Sequence, residues 1–414
     1  MNILLITPIW GYEGGTEQYI VDCLQEFTRM GHACSLVYGR KSTKPVEQGI
    51  AELLHGAYQI STLSQFESAE DALEVGRLNT ILEGERPDVI FMSRVRNYAL
   101  LSRLRDYGGL VPMSHDNWLV CMRMCNTTYF RRTICTHNMG CRCLLHGCFV
   151  RTNHDNAGSG LIYNSLPKHR MLLSLYKSIG VHVVASNYVK QRMIQHGFQS
   201  EQVTVVGCFT NLKPPPAVAL NGQRPIISFM GRIDRYKGVD YLMRALAHVS
   251  TPFRCSVIGD GDYLPYCKKL AHKLGMSDVV DFVGWLSRQE IAAHLRAVSM
   301  VIVPSILPEA FGIVGIEAMM YSKPVVAFDA GGISDWLKDG KNGYLVPVKN
   351  TTLLAEKIEA LLRDPQTAAN MGVEGYRLVT CNFSKKQHFE RLLTIFGKVV
   401  AGKGCNKHAF KIVA

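Results

Sequence analysis

Val301-Ile-Val-Pro-Ser-Ile-Leu-Pro-Glu309-Ala-Phe-Gly312-Ile-Val-Gly315-Ile-Glu317-Ala-Met-Met320 is the stretch that decides how this chain folds. A short apolar run of the kind that makes a buried strand passes into a loop with two prolines. A carboxylate follows, then a glycine-spaced helix start, then a second carboxylate inside the helix. The junction of strand end, loop and helix N-terminus is where open α/β sheets receive ligands. The free N–H groups from Phe311 through Gly312, Ile313 and Val314 would point at whatever docks there, and the positive end of the helix favours an anion. Glu309 lies just outside the helix and Glu317 about a turn inside it, so the two bracket a ligand carrying both phosphate and hydroxyl groups.

Working outward, the second half of the chain repeats strand, turn and helix. Strands are expected at 226–230, 254–258, 279–283, 299–303, 324–328 and 343–346, with helices at 239–248, up to 274, and at 287–297, 353–362 and 385–400. Gly231-Arg232-Ile-Asp-Arg-Tyr-Lys237-Gly238 is the loop after the first of these strands. Two fixed cations beside a crevice, Arg232 and Lys237, suit a diphosphate. Phosphates neutralised by Arg, Lys and helix N–H groups, with hydroxyls gripped by Glu309 and Glu317, describe a nucleotide-sugar site.

The first half opens in the same way. A strand at 2–8, the glycine-rich turn at Gly14-Gly15, a helix over 17–30 and a strand at 33–38 make a Rossmann-like start. It lacks the full G-x-G-x-x-G pattern, and Arg40 and Lys41 stand where a nicotinamide site needs an acidic residue. Gly14 and Gly15 let the backbone approach a ligand closely. Strands at 88–93 and 110–114 follow, with a helix at 97–106 between them. His115, at a strand's C-terminal end, is placed either to contact a sugar hydroxyl or as a satisfied core histidine. The helix at 168–179 carries Lys168, His169, Arg170 and Lys177 beside Met171, Leu172, Leu173 and Leu175, which suits a membrane surface or an ordinary core-facing helix. A strand at 181–185 is followed by a helix capped by Ser186 and a strand at 203–206. The proline-rich 212–225 segment reads as a linker.

At 414 residues, two domains are the default. Hydrophobic residues at 47% and charged residues at 19% indicate a globular protein, and the net charge of +12 suits phosphorylated or otherwise anionic partners. No apolar run approaches the ~20 residues of a membrane span. The start reads as a first strand, not a signal peptide. Thirteen cysteines on such a chain point to a reducing cytosol. Cys121, Cys125, Cys135, Cys141, Cys143 and Cys148 crowd one segment with His137, His146, Arg123, Arg131, Arg132 and Arg142. Paired C-x-x-C knuckles are absent, so a zinc or iron site at Cys121–Cys148 stands beside a reading as an insertion with free thiols that touches an anionic acceptor or lipid head group.

Gly231-Arg232-x4-Lys237-Gly238, Pro308-Glu309-x-Phe311-Gly312-x4-Glu317-Ala318, Gly331-Gly332, Asn342-Gly343, Gly14-Gly15-x-Glu17 and His115-Asp116 together resemble glycosyltransferase family 4 over nearly the whole chain. The resemblance implies an α/β GT-B fold: two Rossmann-like domains facing across a cleft, with the C-terminal helix crossing back to the first. The expected divisions are 1–213 as acceptor-side domain with the 121–148 insertion, 214–384 as nucleotide-sugar donor domain, and 385–414 as the returning helix and tail. It also implies a retaining transfer from a nucleotide sugar without a required metal. By matching positions, Arg232 and Lys237 would hold the donor diphosphate, Glu309 and the amides near Gly312 the donor sugar, and Glu317 the ribose. His115 would contact the transferred sugar near the reacting carbon, Gly14 and Gly15 would shape the phosphate and acceptor side, and the 283–286 loop would border the base. The implied mechanism is front-side attack, in which the departing diphosphate takes the acceptor's proton. Two departures stand out: Asp335 replaces the usual Glu after the paired glycines, and Gly207-Cys208-Phe209-Thr210 replaces an Asn-Gly-Val-Asp type turn.

The reading is therefore a cytoplasmic hexosyltransferase acting on a glycan or lipid-linked acceptor in bacterial surface polysaccharide or lipopolysaccharide biosynthesis, peripheral on the inner face of the plasma membrane. The competing classes are a non-catalytic sugar-nucleotide-binding subunit on the same fold and a metal module using the cysteine cluster. Nucleic-acid binding has no recognition motif behind it.

Overall fold

The computed structural model describes all residues except 13, 48, 129–131, 153–160, 214–223 and 410–414. Most of the expected 212–225 linker, Arg131 and the end of the tail thus lie outside the described residues.

The first half contains β1 (Asn2–Trp10), α1 (Gly15–Arg29), β2 (Ala33–Lys41), β3 (Gly56–Gln59), α2 (Asp71–Glu85), β4 (Val89–Met92), α3 (Tyr98–Tyr107) and β5 (Leu110–Ser114). It continues through α4 (Arg142–Leu145), the antiparallel pair β6 (Val150–Thr152) and β7 (Leu161–Tyr163), α5 (Leu166–Lys177), β8 (His182–Val184), α6 (Asn187–Gln195) and β9 (Val203–Val205). Its main sheet is parallel in the order β3-β2-β1-β4-β5-β8-β9. The second half contains β10 (Ile226–Met230), α7 (Val239–Leu246), β11 (Arg254–Ile258), α8 (Leu264–Lys273), β12 (Val280–Gly284), α9 (Arg288–Ala297) and β13 (Met300–Val303). It ends with α10 (Ile313–Met320), β14 (Val325–Phe328), α11 (Ile333–Trp336), β15 (Gly343–Val346), α12 (Thr351–Arg363), α13 (Pro365–Asn382) and α14 (Lys385–Ala409). Its sheet is parallel in the order β12-β11-β10-β13-β14-β15. Each order reverses once, at β1/β4 and at β10/β13. Open sheets of this class bind ligands beyond the strand ends at that reversal.

The central strands of both sheets are covered on two faces and are apolar and buried throughout, whereas the edge strands β3 and β12 alternate. Ile3 and Leu5 join the buried cluster under α1 and α14, while Leu4 and Ile6 join the one under α2, α3 and α5. Helix starts are fixed by local chemistry. Asn97 accepts from Leu100 N–H at 3.0 Å and Ser186 from Val189 N–H at 3.3 Å, and Ser287 with Glu290 forms a reciprocal capping box. Helix α5 turns Leu172, Leu173 and Tyr176 into the core, so its apolar face is used inside the protein, with Met171 exposed.

The last helix runs to Ala409, beyond the expected end at 400, and returns to the first sheet. Phe389 and Phe396, both fully buried, meet Phe27 at 5.2 and 5.5 Å between ring centres, and Phe396 meets Phe91 at 5.4 Å. Each buried phenylalanine contributes about 2–3 kcal/mol, enough for two to anchor the crossing. The Gly207–Thr210 departure belongs to this junction: Phe209 stacks near Phe389, and His388 bonds Gly207 O at 2.8 Å. Elements at 56–59, 71–85 and 365–382 were not legible beforehand.

Candidate functional site

The opening stretch folds as strand β13, loop and helix α10, and the loop is fixed by its neighbours. The N–H of Glu309 bonds Ala330 O at 3.1 Å and its carbonyl accepts from Gly332 N–H at 2.7 Å, so Gly331-Gly332 serves as a splint. The indole N–H of Trp336 donates to Phe311 O. Gly315 lies flat on that indole, and any Cβ there would collide with it. Phe311 itself is buried against Phe383, at 5.3 Å. Its contribution to a ligand is therefore its amide, in line with Gly312, Ile313 and Val314 at the helix start. Gly312 caps that helix in the left-handed region, at φ 85°.

The loop after β10 is laced to this one. Ile306 N–H bonds Tyr236 O at 2.8 Å, and Gly238 (φ 73°) packs so closely on the Pro304 carbonyl that only glycine fits. Asp234 Oδ1 accepts from the N–H groups of Tyr236 (2.7 Å) and Lys237 (3.0 Å), turning the loop back on itself. Lys237 Nζ then reaches Glu309 Oε1 at 2.6 Å, and Ser305 Oγ donates to the same oxygen at 2.6 Å. Arg232 is exposed, with no hydrogen bond or ion pair among the described residues. The result is a Lys–Glu pair fixed between two loops, with a second, exposed cation earlier in the loop after β10.

Glu317 keeps some solvent contact and has no hydrogen-bond partner among the described residues. Burial pushes its carboxyl up to about 7, opposed by the Arg288 guanidinium. A hydroxyl pair donating to the charged form would bring it down again.

Across from these groups, the C-terminal end of the first sheet presents Gly14, Gly15, Arg94, His115 and Asp116. Gly14 is the extended N-cap of α1 and supplies no side chain, leaving the helix N–H groups of Gly15 and Thr16 uncovered by a cap. Arg94 pairs with Asp116 and reaches Thr16 Oγ1 at 3.4 Å, tying the helix start to the His115 strand end. The His115 ring packs edge-on against Tyr19 at 4.3 Å, and its Nε2 is enclosed with no protein partner. Burial, with the charge of Arg94 added, lowers His115 to about 3, so the ring is neutral at physiological pH. A neutral imidazole with an unsatisfied nitrogen is suited to hydrogen-bonding a hydroxyl, not to supplying a proton as an imidazolium.

The two edges touch. Asn117 Nδ2 donates to Pro308 O at 3.3 Å, and Arg123 Nη2 to the Tyr236 hydroxyl at 3.0 Å. Lys44 sits 5.4 Å over the exposed Trp285 ring at the far end, and Arg288 is 3.9 Å from Asp22. The structure thus places His115 after β5, Arg232 and Lys237 after β10, Glu309 after β13 and Glu317 inside α10, with the Asn117–Pro308 and Arg123–Tyr236 bonds joining the two edges. Sequence reasoning missed Arg94, Asn117 and Tyr236, whose roles depend on partners far along the chain. Asp335 faces elsewhere: its carboxylate accepts from the Asn187 N–H at 2.7 Å, capping α6 across the domain boundary.

The cysteine segment 121–148 folds against α6: Arg192 donates to Thr136 O and His137 O, and Met139 N–H to His196 Nε2. Its six cysteines are free thiols, and among the described residues no three Cys, His, Asp or Glu side chains converge as a metal would require. No helix among the described residues is long and apolar enough to cross a membrane.

Residues 213–378 match the family model "Glycosyl transferases group 1". The match falls on the half that carries the Arg232, Lys237, Glu309 and Glu317 loops. Among curated relatives, the alpha-D-kanosaminyltransferase of Streptomyces kanamyceticus is 32% identical over 179 residues, 42% of this chain and 46% of that one. A GDP-mannose-dependent alpha-(1-6)-phosphatidylinositol monomannoside mannosyltransferase of Mycolicibacterium smegmatis is 30% identical over 180 residues, 41% of this chain and 47% of that one. The chain thus spans about half the length of the curated relatives it matches. The Anabaena HepE structure in complex with UDP and glucose superposes with a TM-score of 0.69 at 18% identity, covering 96% of this chain and 99% of that one. Together with the two facing parallel sheets, that likeness gives the GT-B fold.

Proposed function

We propose that this protein is a retaining glycosyltransferase of the family 4 type, moving a sugar from a nucleotide-sugar donor to a hydroxyl of a glycan or glycolipid acceptor. Bacterial surface polysaccharide or lipopolysaccharide assembly is the process we assign it to, with 1–213 as acceptor-side domain, 214–384 as donor domain and 385–414 as returning helix and tail. The observation that carries the reading is the Lys237–Glu309 pair at 2.6 Å, with the unpartnered Arg232 in the same loop as Lys237, and the enclosed, unpaired Nε2 of His115 at the end of the first sheet.

In this reading the donor diphosphate draws Lys237 towards it and takes Arg232 as second cation, while the N–H groups from Phe311 to Val314 point at the phosphate end. Glu309, released in part from Lys237, accepts from a hydroxyl of the donor sugar. Glu317 ionises on accepting from the ribose hydroxyls. His115, neutral, bonds a hydroxyl of the transferred sugar close to the anomeric carbon. Charge builds on the departing diphosphate, and fixed cations and amides in a narrow cleft stabilise it more than water does. The leaving phosphate oxygen then takes the acceptor's proton on the same face, so the protein supplies no strong base. The relatives' names include a GDP-mannose-dependent enzyme, and the HepE structure holds UDP. A thermal-shift screen across UDP-, GDP- and ADP-sugars, followed by transfer from the stabilising donor, tests the reading. A donor that binds and is never hydrolysed or transferred would reassign the protein as a sugar-nucleotide-binding subunit.

A further inference from the structure

The starts of β5 and β8 part at the N-terminal ends of the first sheet's strands, away from His115 at the other end of β5. β5 pairs with β4 from Leu110 onward but joins β8 only at Met113 and Ser114. Pro112, just before the first residue paired with β8, has no N–H to extend the ladder. A cavity of about 610 Å³ lies at this gap, lined by the 105–110 and 178–181 segments and by Lys398, Val399, Gly402 and Lys403 of α14. Leu110 and Ile179 are buried and Val181 and Val399 half-buried, so much of the lining is apolar. Its charged groups are mostly cations. Lys403 Nζ donates to Pro87 O at 3.0 Å and sits 4.0 Å over the Tyr107 ring, which fixes it in place. Arg105 donates to Asp106 at 2.8 Å and reaches Ser178 Oγ at 3.4 Å. Lys398 is exposed, with no hydrogen bond or ion pair among the described residues. Three cations therefore line the cavity with one carboxylate, Asp106. An apolar pocket of roughly 300–1,000 Å³ with a few convergent charges is how proteins hold small organic ligands. The uncompensated positive charge selects an anion. A purely hydrophilic anion would leave the apolar lining uncovered.

We propose that this cavity binds a single-chain amphiphile with a carboxylate head, of the fatty-acid class. The alkyl chain covers Leu110, Ile179, Val181 and Val399, and the head group takes Lys398 and Lys403 as counter-ions. None of these residues belongs to the candidate donor or sugar-binding groups, so the site is separate from the cleft. It shares α14 with the anchor of the crossing, since Phe389 and Phe396 lie on the same helix.

The test titrates decanoate, below its micelle-forming concentration and at neutral pH, into the full chain by calorimetry, with hydrogen exchange to place it. The expected result is saturable one-to-one binding, a raised melting temperature and slower exchange in 105–110, 178–181 and 398–403. Decanol and decyltrimethylammonium keep the chain and lose the negative head; acetate keeps the head and loses the chain. Each should bind at least about tenfold more weakly. Lys398→Glu should weaken decanoate binding about tenfold and leave the melting temperature of the free protein unchanged, since Lys398 is exposed. Gly180→Phe, at a lining position where a Cβ meets nothing within 4 Å, should block binding by filling the cavity. Absence of saturable binding, equal binding of decanol, binding untouched by both variants, or protection confined to other segments would each overturn the proposal. The readout needs no sugar donor, so its failure and a failure of the transferase reading are separate results.

Discussion

On the second sheet's edge, the loops after β10, β13 and β14 are joined main chain to main chain, with Ile306 N–H on Tyr236 O at 2.8 Å and Glu309 N–H on Ala330 O at 3.1 Å. On the first sheet's edge the loops after β1 and β2 are also laced by main chain, but the loops after β4 and β5 are tied to the start of α1 by side chains, with Arg94 on Asp116 and Thr16. Main-chain lacing admits few residue types, because Gly238 and Gly331 tolerate no Cβ against the backbones of Pro304 and Glu309. It leaves a pattern at fixed spacing. A side-chain join survives exchange of both partners for another pair and leaves almost none. The family model covers 213–378, the stretch that contains the second sheet's edge.

The comparison breaks most readily at Lys237. If the donor-side edge carries the charge stabilisation, Lys237→Ala lowers transfer at least about a hundredfold, the scale of losing one preorganised charge-stabilising group. Melting temperature should change by only a few degrees, since the side chain is partly exposed. Retained activity in a steady-state assay would remove the diphosphate role. His115→Ala, on the opposite edge, should cost less, about tenfold to a hundredfold in kcat. Because His115 is already neutral, the wild-type rate should show no inflection from it between pH 5 and 8.

These two residues mark how far the sequence could be read. The β10 to β15 half was legible strand by strand because most of its strands are short apolar runs flanked by Gly or Pro, and β10, β11 and β15 begin and end where expected. Helix α13 was hidden by Gly372 and Gly375, poor helix formers that are present because α13 lies against Ser322 and Met319 with no room for a side chain. Helix α2 buries only Glu74, Leu78, Ile81 and Leu82, too thin a stripe to announce itself. Among the candidate site residues, the loop and helix-start positions of Arg232, Lys237, Glu309 and Glu317 were readable in the sequence. The Arg94–Asp116 join was not, because nothing local in Ser93-Arg94-Val95 signals a partner beyond the next strand.

A smaller effect sharpens the link between edges. Tyr19 OH and His388 Nε2 are 2.8 Å apart, and His388 Nδ1 is 2.8 Å from Gly207 O, so the crossing helix holds the ring on which His115 rests. Tyr19→Phe should cost about 1–2 kcal/mol by denaturant unfolding and lower kcat severalfold with KM little changed, the mark of positioning rather than binding. His388 adds a pH dependence. Burial holds it at about 4, below the ordinary 6.5, so between those values the unfolded chain binds a proton that the folded chain does not. Stability therefore falls as pH drops from 6.5 towards 4. His388→Gln should make that fall shallower in calorimetry; an unchanged slope would mean that His388 does not contribute.

The smallest effect is expected at Asp335, and it separates the cleft from the hinge. Its carboxylate sits at the first N–H of α6, on the other domain, at 2.7 Å, and Asn187 Nδ2 reaches the same oxygen at 3.3 Å. A charge at a helix N-terminus contributes about 0.3–1 kcal/mol where the contact is solvent-exposed, as the bond between the half-buried Asp335 and Asn187 is. Asp335→Asn should therefore lower the melting temperature by a degree or two and leave donor affinity within about twofold. Raising the salt should shrink the difference, because the contact is open to solvent. The longer reach of Asp335→Glu should likewise change little at the donor, since the partner is a backbone amide of α6 and not a ligand. A tenfold loss of donor affinity in Asp335→Asn, measured by calorimetric titration, would move this carboxylate from the domain junction into the donor site, and with it the division between a laced edge and a side-chain edge.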